Sequence, residues 1–298
     1  MRFIKMHGIG NDYVYVNGFE ENIEDAPSLA LEVADRHKGI GGDGLILLLP
    51  TSNGTDAHVR MRMFNADGSE AEMCGNGIRC LCKMAHDHGV SDANPMRIQT
   101  GNGVLTLEYK TENDKVTEVT VDMGEPILAA QDIPATVEGI GAADRIIDHD
   151  ISDMIAGLLP MDPQWDERCG LDPKITCVSM GNPHVTLYCG DVAQVPLEWI
   201  GPVFEKLPLF PNKINVHFVQ VHSGTEVTMR TWERGSGITQ ACGTGATAVA
   251  VSGALTGRGD RKILAHLPGG DLTLNWQEND HVYMTGTATE VFTGEWPD

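Results

Sequence analysis

Two cysteines in this sequence stand in the same local pattern, Cys-Gly-x-Gly, at Cys74 and Cys242. A helical pattern follows each of them, over residues 78–88 and 246–255, so both thiols are predicted to lie at helix N-termini. Unpaired N–H groups and the helix dipole favour a thiolate there and can also bind a carboxylate. Two such cysteines suit the inversion of one carbon, because one thiolate removes a proton and the other thiol returns one from the opposite face.

The two cysteine elements belong to a larger internal repeat. The second half of the chain echoes the first at an offset of roughly 170 residues, which is the scale of a domain duplication. The matched segments are 10–14 with 181–185, 73–77 with 241–245, and 103–107 with 270–274. The repeat predicts two similar domains, 1–125 and 126–284, with a final strand at about 285–298 returning to the first and a ligand cleft where the domains meet.

Short apolar runs predict the elements that carry these residues. The runs at 3–4 and 13–16 indicate two strands joined through a turn at 7–12. Asp25 and Pro27 are typical of a helix start, and Gly39 is typical of a helix end. The run at 45–49 predicts a buried strand.

Composition excludes several classes of protein. The chain of 298 residues carries a formal charge of −21, which argues against nucleic acid and anionic membranes as partners, because both require clustered Lys and Arg. Its seven cysteines are an odd number without a disulfide framework, and they indicate a reducing compartment. No apolar run approaches the roughly 18 residues of a membrane span. Because the N-terminus also lacks the features of a secretory signal, a cytoplasmic enzyme is expected.

Longer motifs surround both cysteines and resemble a known family. Residues 64–80, FNADGSEAEMCGNGIRC, resemble the signature of the diaminopimelate epimerases, and ERGSG at 233–237 with QACGTG at 240–245 resembles that family's second signature. Residues 6–12 and 180–184 match as well. The resemblance implies an α+β fold of two similar domains, each a mixed β-sheet curled into a barrel-like unit around a central helix, with the active site in the cleft.

The same resemblance implies an activity and its setting. The reaction would be epimerisation of LL- to meso-diaminopimelate without a cofactor, in the biosynthesis of lysine and cell-wall precursors. The only partners implied are the small amino-acid substrate and a second copy of the chain in a homodimer.

By resemblance, the family's site residues fall on named positions of this chain. Cys74 and Cys242 are the acid and base, and His184 and Glu233 tune their protonation, as an imidazole and a carboxylate beside thiols can. The substrate contacts are Asn11, Asn65, Asn182, Asn215, Glu233 and Arg234, with the backbone N–H groups of Gly75, Asn76, Gly243 and Thr244. Arg234 suits the distal carboxylate of the substrate. Some relatives carry glutamine where this chain has Gly44, so a side-chain contact with the substrate is not expected at this position.

Other interpretations remain open from the residues alone. Asparagines in Gly-Asn turns often serve the backbone, His184 can be a satisfied core histidine, and Glu233 and Arg234 can form a surface pair. Racemisation of another amino acid on the same scaffold is the nearest alternative, although it would leave Arg234 poorly paired in a buried pocket. A thiol redox protein and a non-catalytic amino-acid binder are the alternatives from other classes.

No metal site is predicted. Cys80, Cys82, His86 and His88 suggest zinc ligands at first sight, yet only Cys82 and His86 would share a helix face. The other three cysteines have no motif around them and are expected to be structural: Cys169, Cys177 and Cys189.

Overall fold

The computed structural model describes residues 1–52, 54–156 and 164–297. The chain divides into two compact units, unit 1 (Met1–Asp122 and Thr285–Asp298) and unit 2 (Met123–Met284). Each unit combines a mixed β-sheet with a few helices, which confirms the α+β class. None of the helices in the described part of the chain is long and apolar enough to cross a membrane.

The strands and helices follow the chain in this order. Up to residue 122 they are β1 (Arg2–Gly8), β2 (Asn11–Asn17), α1 (Ala26–Ala34), β3 (Gly44–Leu49), β4 (Val59–Asn65), β5 (Glu70–Ala71), α2 (Gly75–Asp87), β6 (Met96–Thr100), β7 (Gly103–Glu112) and β8 (Lys115–Asp122). They continue with β9 (His149–Asp150), α3 (Ser152–Ala156), α4 (Trp165–Cys169), β10 (Leu171–Ser179), β11 (Pro183–Cys189), α5 (Leu197–Glu205), β12 (Asn215–Ser223), β13 (Glu226–Glu233), β14 (Gly237–Ile238), α6 (Gly243–Thr256), β15 (Lys262–Leu267), β16 (Gly270–Trp276), β17 (Val282–Thr287) and β18 (Thr289–Glu295).

Unit 1 is a mixed sheet with a helix on each face. β1 pairs antiparallel with β2 and with β18, β2 runs parallel to β3, and β3 runs antiparallel to β4. β4 then runs parallel to β6, which begins an antiparallel run through β7 to β8. α2 packs against five strands of this unit, β1, β2, β3, β4 and β8. Leu45 and Leu47 of β3 belong to the core that covers α1. Ile46 lies beside α2, so β3 is buried on both faces and is apolar throughout.

Unit 2 repeats this order of strands. β10 and β11 are antiparallel, β11 and β12 parallel, β12 and β13 antiparallel, β13 and β15 parallel, and β15 and β16 antiparallel. α6 contacts β10, β11, β12, β15 and β16, as α2 contacts its own sheet. α6 consists largely of Gly, Ala, Val, Thr and Ser and is buried from Gly245 to Gly253. Small side chains let strands approach this helix from every side.

Gly44, at the start of β3, lies in close contact with the backbone of β4. Its φ is +152°, and a Cβ there would lie 2.0 Å from the carbonyl oxygen of Phe64 on β4. We expect Gly44→Ala to lower the free energy of unfolding by roughly 3 kcal/mol more than a matched control, because the backbone of β4 must move. Gly103→Ala is that control: it also starts a strand at positive φ (+108°), but with open space around it. Urea unfolding followed by circular dichroism measures both, and equal losses would contradict the clash.

Candidate active site

Cys74 lies at the N-cap of α2, as the sequence predicts, and its backbone is extended (φ −136°, ψ 120°). The Gly77 N–H donates to its sulfur atom, with 3.4 Å between N and Sγ. A Cβ at Gly77 would lie 2.6 Å from Cδ1 of Ile46 on β3. The helix can therefore start directly against the sheet, with an N–H of its first turn pointing at the cysteine.

Asn11 turns its amide oxygen towards Cys74. Its Oδ1 accepts hydrogen bonds from Cys74 Sγ at 3.3 Å and from Asn76 Nδ2 at 3.4 Å. Its Nδ2 donates to Asp43 Oδ2 at 2.6 Å, and the same oxygen accepts from the Asp12 N–H at 3.1 Å. A carboxylate only accepts hydrogen bonds, so Asp43 determines which end of the Asn11 amide faces the thiol.

A cluster of charged side chains fixes Asp43 in turn. Arg36 donates to Asp43 Oδ1 at 2.9 Å and to Asp12 Oδ1 at 2.7 Å. The buried Lys5 pairs with Asp12 Oδ2 at 2.6 Å and also donates to the carbonyl of Gly41. Burial opposes the charge on Asp12, but hydrogen bonds from Arg36 and Lys5 outweigh it and lower the pKa of this carboxyl. Asp12 is therefore ionised at neutral pH, and the ion pairs of this cluster hold Asn11 in place through Asp43.

Arg79 is a fully buried charge in α2. Its Nη1 donates to the carbonyl oxygen of Gly75 at 3.0 Å, and its Nε donates to that of Thr287 at 3.3 Å. Burial lowers the pKa of Arg79, and the neighbouring thiols of Cys80 and Cys74 act in the opposite direction. An arginine stays protonated in proteins, so its charge favours an anion at Cys74.

Asn65 ends β4, and its partner across the sheet is Gly44, the first residue of β3. Its Nδ2 donates to Ser69 Oγ at 3.0 Å. Because β2 and β3 are parallel and β4 is antiparallel to β3, Asn65 and Asn11 lie at the same end of the sheet of unit 1. The side chains of Asn11, Cys74 and Asn76 are in contact, while Asn65 is placed near them only by this register.

Cys242 holds the same N-cap position on α6, with φ −121° and ψ 101°. It is 4% exposed, and its Sγ lies 3.7 Å from Thr244 Oγ1. A Cβ at Gly245 would lie 2.9 Å from this sulfur and 2.3 Å from Cε1 of His217. The cysteine and this histidine therefore both pack against Gly245.

His184 and His217 form a fully buried pair beside Cys242. Nδ1 of His184 lies 2.9 Å from Nε2 of His217, and Nε2 of His184 lies 2.9 Å from Oδ1 of Asn182. The Asn182 Nδ2 donates to Thr244 Oγ1 at 3.3 Å, and Nδ1 of His217 lies 2.9 Å from Thr231 Oγ1. Four of the residues predicted for the site are therefore linked in unit 2: Asn182, His184, Cys242 and Thr244.

Both imidazoles of the pair are neutral at pH 7. Burial, followed by the neighbouring His217 and Arg234, lowers the pKa of His184 well below its ordinary value. Burial alone lowers the pKa of His217 to about 3.

Asn215 uses its amide to hold the backbone around the site. Its Nδ2 donates to the carbonyl oxygen of Pro183 at 2.8 Å, and its Oδ1 accepts from the N–H of Arg234 at 2.9 Å. The Glu233 carboxylate accepts from Thr239 Oγ1 at 2.5 Å. Asn215 therefore couples the start of β11 to Arg234, the first residue of the turn that follows Glu233 at the end of β13.

Arg234 is exposed, and its Nη1 donates to the carbonyl oxygen of Asn212 at 3.1 Å. The expectation of a buried pocket around this residue is therefore wrong, because the turn after β13 lies at the surface. A substrate that lacks a distal carboxylate would not leave the Arg234 guanidinium buried without a partner. The position of Arg234 therefore gives no reason to exclude such substrates.

The other five cysteines are core residues. Burial raises the pKa of Cys80 and Cys169 to about 11 and that of Cys82 and Cys189 to about 12, and it also raises the pKa of Cys177. Thiols of this kind are unreactive at neutral pH.

The histidines near Cys80 and Cys82 have other partners. Nδ1 of His86 lies 3.0 Å from Asp87 Oδ1, and Nε2 of His88 lies 2.9 Å from Glu290 Oε2. Among residues 1–52, 54–156 and 164–297, no three His, Cys, Asp or Glu side chains are grouped to hold a metal ion.

Sequence reasoning missed His217 and Thr231, which are direct partners across β12 and β13. Each lies two positions from a predicted site residue, Asn215 in β12 and Glu233 in β13. Side chains two apart in a strand share a face. A search for polar residues at this spacing on the strand face that also carries apolar residues, Val219 in β12 and Met229 in β13, would have found both.

We expect the stability of the protein to fall as the pH drops below 6.5, the ordinary histidine pKa. The buried pair has its pKa values lowered in the folded state, so between pH 6.5 and about 3 the unfolded chain binds more protons and acid favours unfolding. The loss at pH 5 relative to pH 8 is roughly 2 kcal/mol for His217, and protonation of unfolded His184 adds to it in the same direction.

His217→Gln removes one of the two titrating groups and should reduce this pH dependence. Urea unfolding of the variant and of the wild type at pH 5 and pH 8, followed by circular dichroism, measures the difference. An unchanged dependence would show that folding does not lower the pKa of His217.

Comparison with known proteins shows which family this chain belongs to. The family model described as Diaminopimelate epimerase matches residues 3–129 and 176–291. A diaminopimelate epimerase of Agathobacter rectalis is 49% identical over 299 residues, covering 99% of both chains. Proteins of the same name from Acetivibrio thermocellus and Methanococcus maripaludis are each 48% identical over 296 residues, covering 99% of this chain and 98% and 99% of theirs.

Solved structures agree in fold at much lower identity. A phenazine biosynthesis protein of the PhzF family from Bacillus anthracis has a TM-score of 0.73 at 16% identity, covering 100% of this chain and 99% of its own. A predicted epimerase from Pseudomonas aeruginosa has a TM-score of 0.67 at 14% identity, covering 99% and 98%. These two likenesses establish the fold alone. The match over most of the length, with relatives near half identity, establishes that this chain belongs to the diaminopimelate epimerase family.

Proposed function

We propose that this protein interconverts LL- and meso-diaminopimelate by proton transfer at one α-carbon, a step of lysine and cell-wall precursor biosynthesis. The observation that carries the proposal is the repeated N-cap: each unit has one cysteine at the start of a buried helix. Together with membership of the family, this supports Cys74 and Cys242 as the acid and base. The reaction as proposed uses no cofactor.

The two thiols act in sequence on one carbon. The thiolate of one cysteine takes the α-proton, so a C–H bond breaks and an S–H bond forms. The other thiol gives its proton to the opposite face of the carbon and becomes the thiolate, which balances atoms and charge. The reaction requires one thiol for each face, and each unit supplies one.

The carbanion formed on the way needs stabilisation, because the α-proton of an amino acid is weakly acidic. Hydrogen bonds to the adjacent carboxylate spread the negative charge. Backbone N–H groups in the first turns of α2 and α6 are proposed to supply them, at Gly75, Asn76, Gly243 and Thr244.

The side chains of the site have three roles in this proposal. Asn11, Asn65 and Asn182 are proposed substrate contacts, and Arg234 is the proposed partner of the distal carboxylate. Both ends of the Asn215 amide are bonded to backbone, which favours a role in holding the Arg234 turn. His184 and Glu233 are proposed to tune the thiols. A hydrogen-bonded path through Asn182 and Thr244 to Cys242 supports this role for His184.

Incubation of the reduced protein with LL-diaminopimelate in deuterium oxide tests the two-cysteine mechanism. We expect the wild type to form the meso isomer with deuterium at the inverted carbon. Cys74→Ala and Cys242→Ala should each lose at least ~10²-fold in the rate of inversion, the usual contribution of a general acid or base. Chiral chromatography and mass spectrometry measure both products.

Cys82→Ala is the matched control, since Cys82 is a buried thiol of α2 with no role in the reaction. It should retain wild-type rates within a few fold. Inversion that survives at wild-type rates in both site variants would refute the mechanism. A wild type that neither exchanges nor inverts while reduced would refute the substrate. The protein would then have to be tested as a racemase of another amino acid, a thiol redox protein or a non-catalytic amino-acid binder.

Arg234→Met tests recognition of the distal carboxylate. Loss of a charge-assisted hydrogen bond of about 1.5–3 kcal/mol predicts a KM for diaminopimelate raised roughly 10- to 100-fold, with a smaller change in kcat. Arg234→Lys keeps the charge and should fall between the variant and the wild type. Steady-state kinetics measure the split, and an unchanged KM in Arg234→Met would assign the distal carboxylate to another group.

The family resemblance also supports a homodimer that acts in the cytoplasm, and we include both in the proposal. Sedimentation equilibrium of the full chain gives the mass of the assembly directly. A mass equal to one chain across micromolar concentrations would exclude the dimer.

A further inference from the structure

A series of hydrogen bonds in unit 2 allows only two arrangements of its protons. Contacts of 2.9, 2.9, 2.9, 3.3 and 3.7 Å join six side chains in the order Thr231, His217, His184, Asn182, Thr244 and Cys242. Both imidazoles are neutral, so each carries one N–H and donates from one nitrogen only. The series therefore runs either towards the cysteine or away from it.

The amide of Asn182 selects the direction. Its Oδ1, which only accepts, lies 2.9 Å from Nε2 of His184, so that nitrogen carries the proton. Nδ1 of His184 is then an acceptor and receives the N–H of His217 Nε2. Nδ1 of His217 is an acceptor in its turn and receives the hydroxyl proton of Thr231.

The same direction leads to the thiol at the other end. Asn182 donates from Nδ2 to Thr244 Oγ1, and Thr244 keeps its hydroxyl proton, which donates to Cys242 Sγ when that sulfur is a thiolate. With Cys242 ionised, every link donates towards the sulfur. Aligned donors polarise one another, so the series stabilises an anion at its end more than Thr244 would alone.

The position of His217 is fixed by its surroundings. It faces Thr231 across β12 and β13, and its ring occupies the space that a side chain at Gly245 would need, next to Cys242. It is fully buried, as is His184.

We propose that His217 is a positioning residue: held by Thr231, it donates to Nδ1 of His184 and thereby fixes the tautomer of His184 that donates towards Cys242. Its part in catalysis rests on the epimerase function proposed above. The tautomer itself is a property of the resting protein and is measured without substrate.

Two variants of similar shape separate the donor from the packing. His217→Gln keeps an N–H for His184 and an acceptor for Thr231, whereas His217→Glu presents only acceptors to His184 when ionised. Two-dimensional 1H–15N spectra of the protein with 15N-labelled histidine report which nitrogen of His184 carries the proton, and a His184→Gln sample identifies its signals. We expect an Nε2–H tautomer in the wild type and in His217→Gln, and a proton on Nδ1 in His217→Glu.

Turnover of diaminopimelate gives the second readout. We expect kcat of His217→Gln to stay within ~3-fold of the wild type and that of His217→Glu to fall at least ~10-fold, in line with the loss of a residue that orients a site group. Where the buried carboxylate prevents folding, His217→Met serves instead, since it has no donor and should show the same loss.

Two results would overturn the proposal: an Nδ1–H tautomer of His184 in the wild type, or equal kcat in His217→Gln and in the folded donor-free variant. A wild type without epimerase activity but with the Nε2–H tautomer would refute the proposed function and leave the tautomer assignment standing.

Discussion

A helix that begins inside a protein leaves its first N–H groups without helical partners. In both units of this chain a cysteine occupies the N-cap of such a helix. A glycine three residues after each cysteine lets the helix start in close contact with its sheet. A side chain at Gly77 would strike Ile46, and one at Gly245 would strike His217 and the cysteine sulfur. The close start of each helix therefore fixes where a thiol and its neighbouring N–H groups lie, and within each unit the other contacts of the candidate site residues are arranged around that thiol.

The two cysteines share a backbone position but have different surroundings. In unit 1 Asn11 accepts from the thiol, and its orientation depends on Asp43 and through it on Asp12, Arg36 and Lys5. Asp12 carries its charge at neutral pH, because hydrogen bonds from Arg36 and Lys5 lower its pKa. In unit 2 the groups beside the thiol are neutral, because burial prevents the histidine pair from taking a proton. One cysteine is thus held by fixed charges and the other by the direction of hydrogen bonds.

Local sequence patterns predicted the elements well and the contacts between them poorly. The strands at 3–4, 13–16 and 45–49 and the helix after Asp25 are all present. Both cysteine helices begin three residues before their apolar pattern, at Gly75 and Gly243, because these first residues contribute no hydrophobic period. The family motif identifies Arg234 as a site residue but does not predict the exposure of its side chain. That exposure depends on where the turn after β13 lies.

The missed residues share one physical reason: their partners are set by strand register and loop path, which local patterns do not encode. His217 meets Thr231 only because β12 and β13 pair in one register. Asp43 precedes β3 in a glycine-rich segment without periodicity, yet the parallel pairing of β2 with β3 brings it to Asn11 at the start of β2.

The two units also differ in the side chain that bonds to one equivalent backbone atom. Five residues after each cysteine, a fully buried side chain bonds to the carbonyl oxygen of the first helical residue: Arg79 to Gly75 at 3.0 Å, and Thr247 to Gly243 at 2.8 Å. The hydroxyl satisfies this carbonyl without charge, whereas the guanidinium brings a positive charge into the helix below Cys74. An anion at Cys74 is therefore stabilised by a nearby buried cation. At Cys242 no such charge stands at the equivalent position, so the directed donors of its own unit have the larger part in stabilising a thiolate.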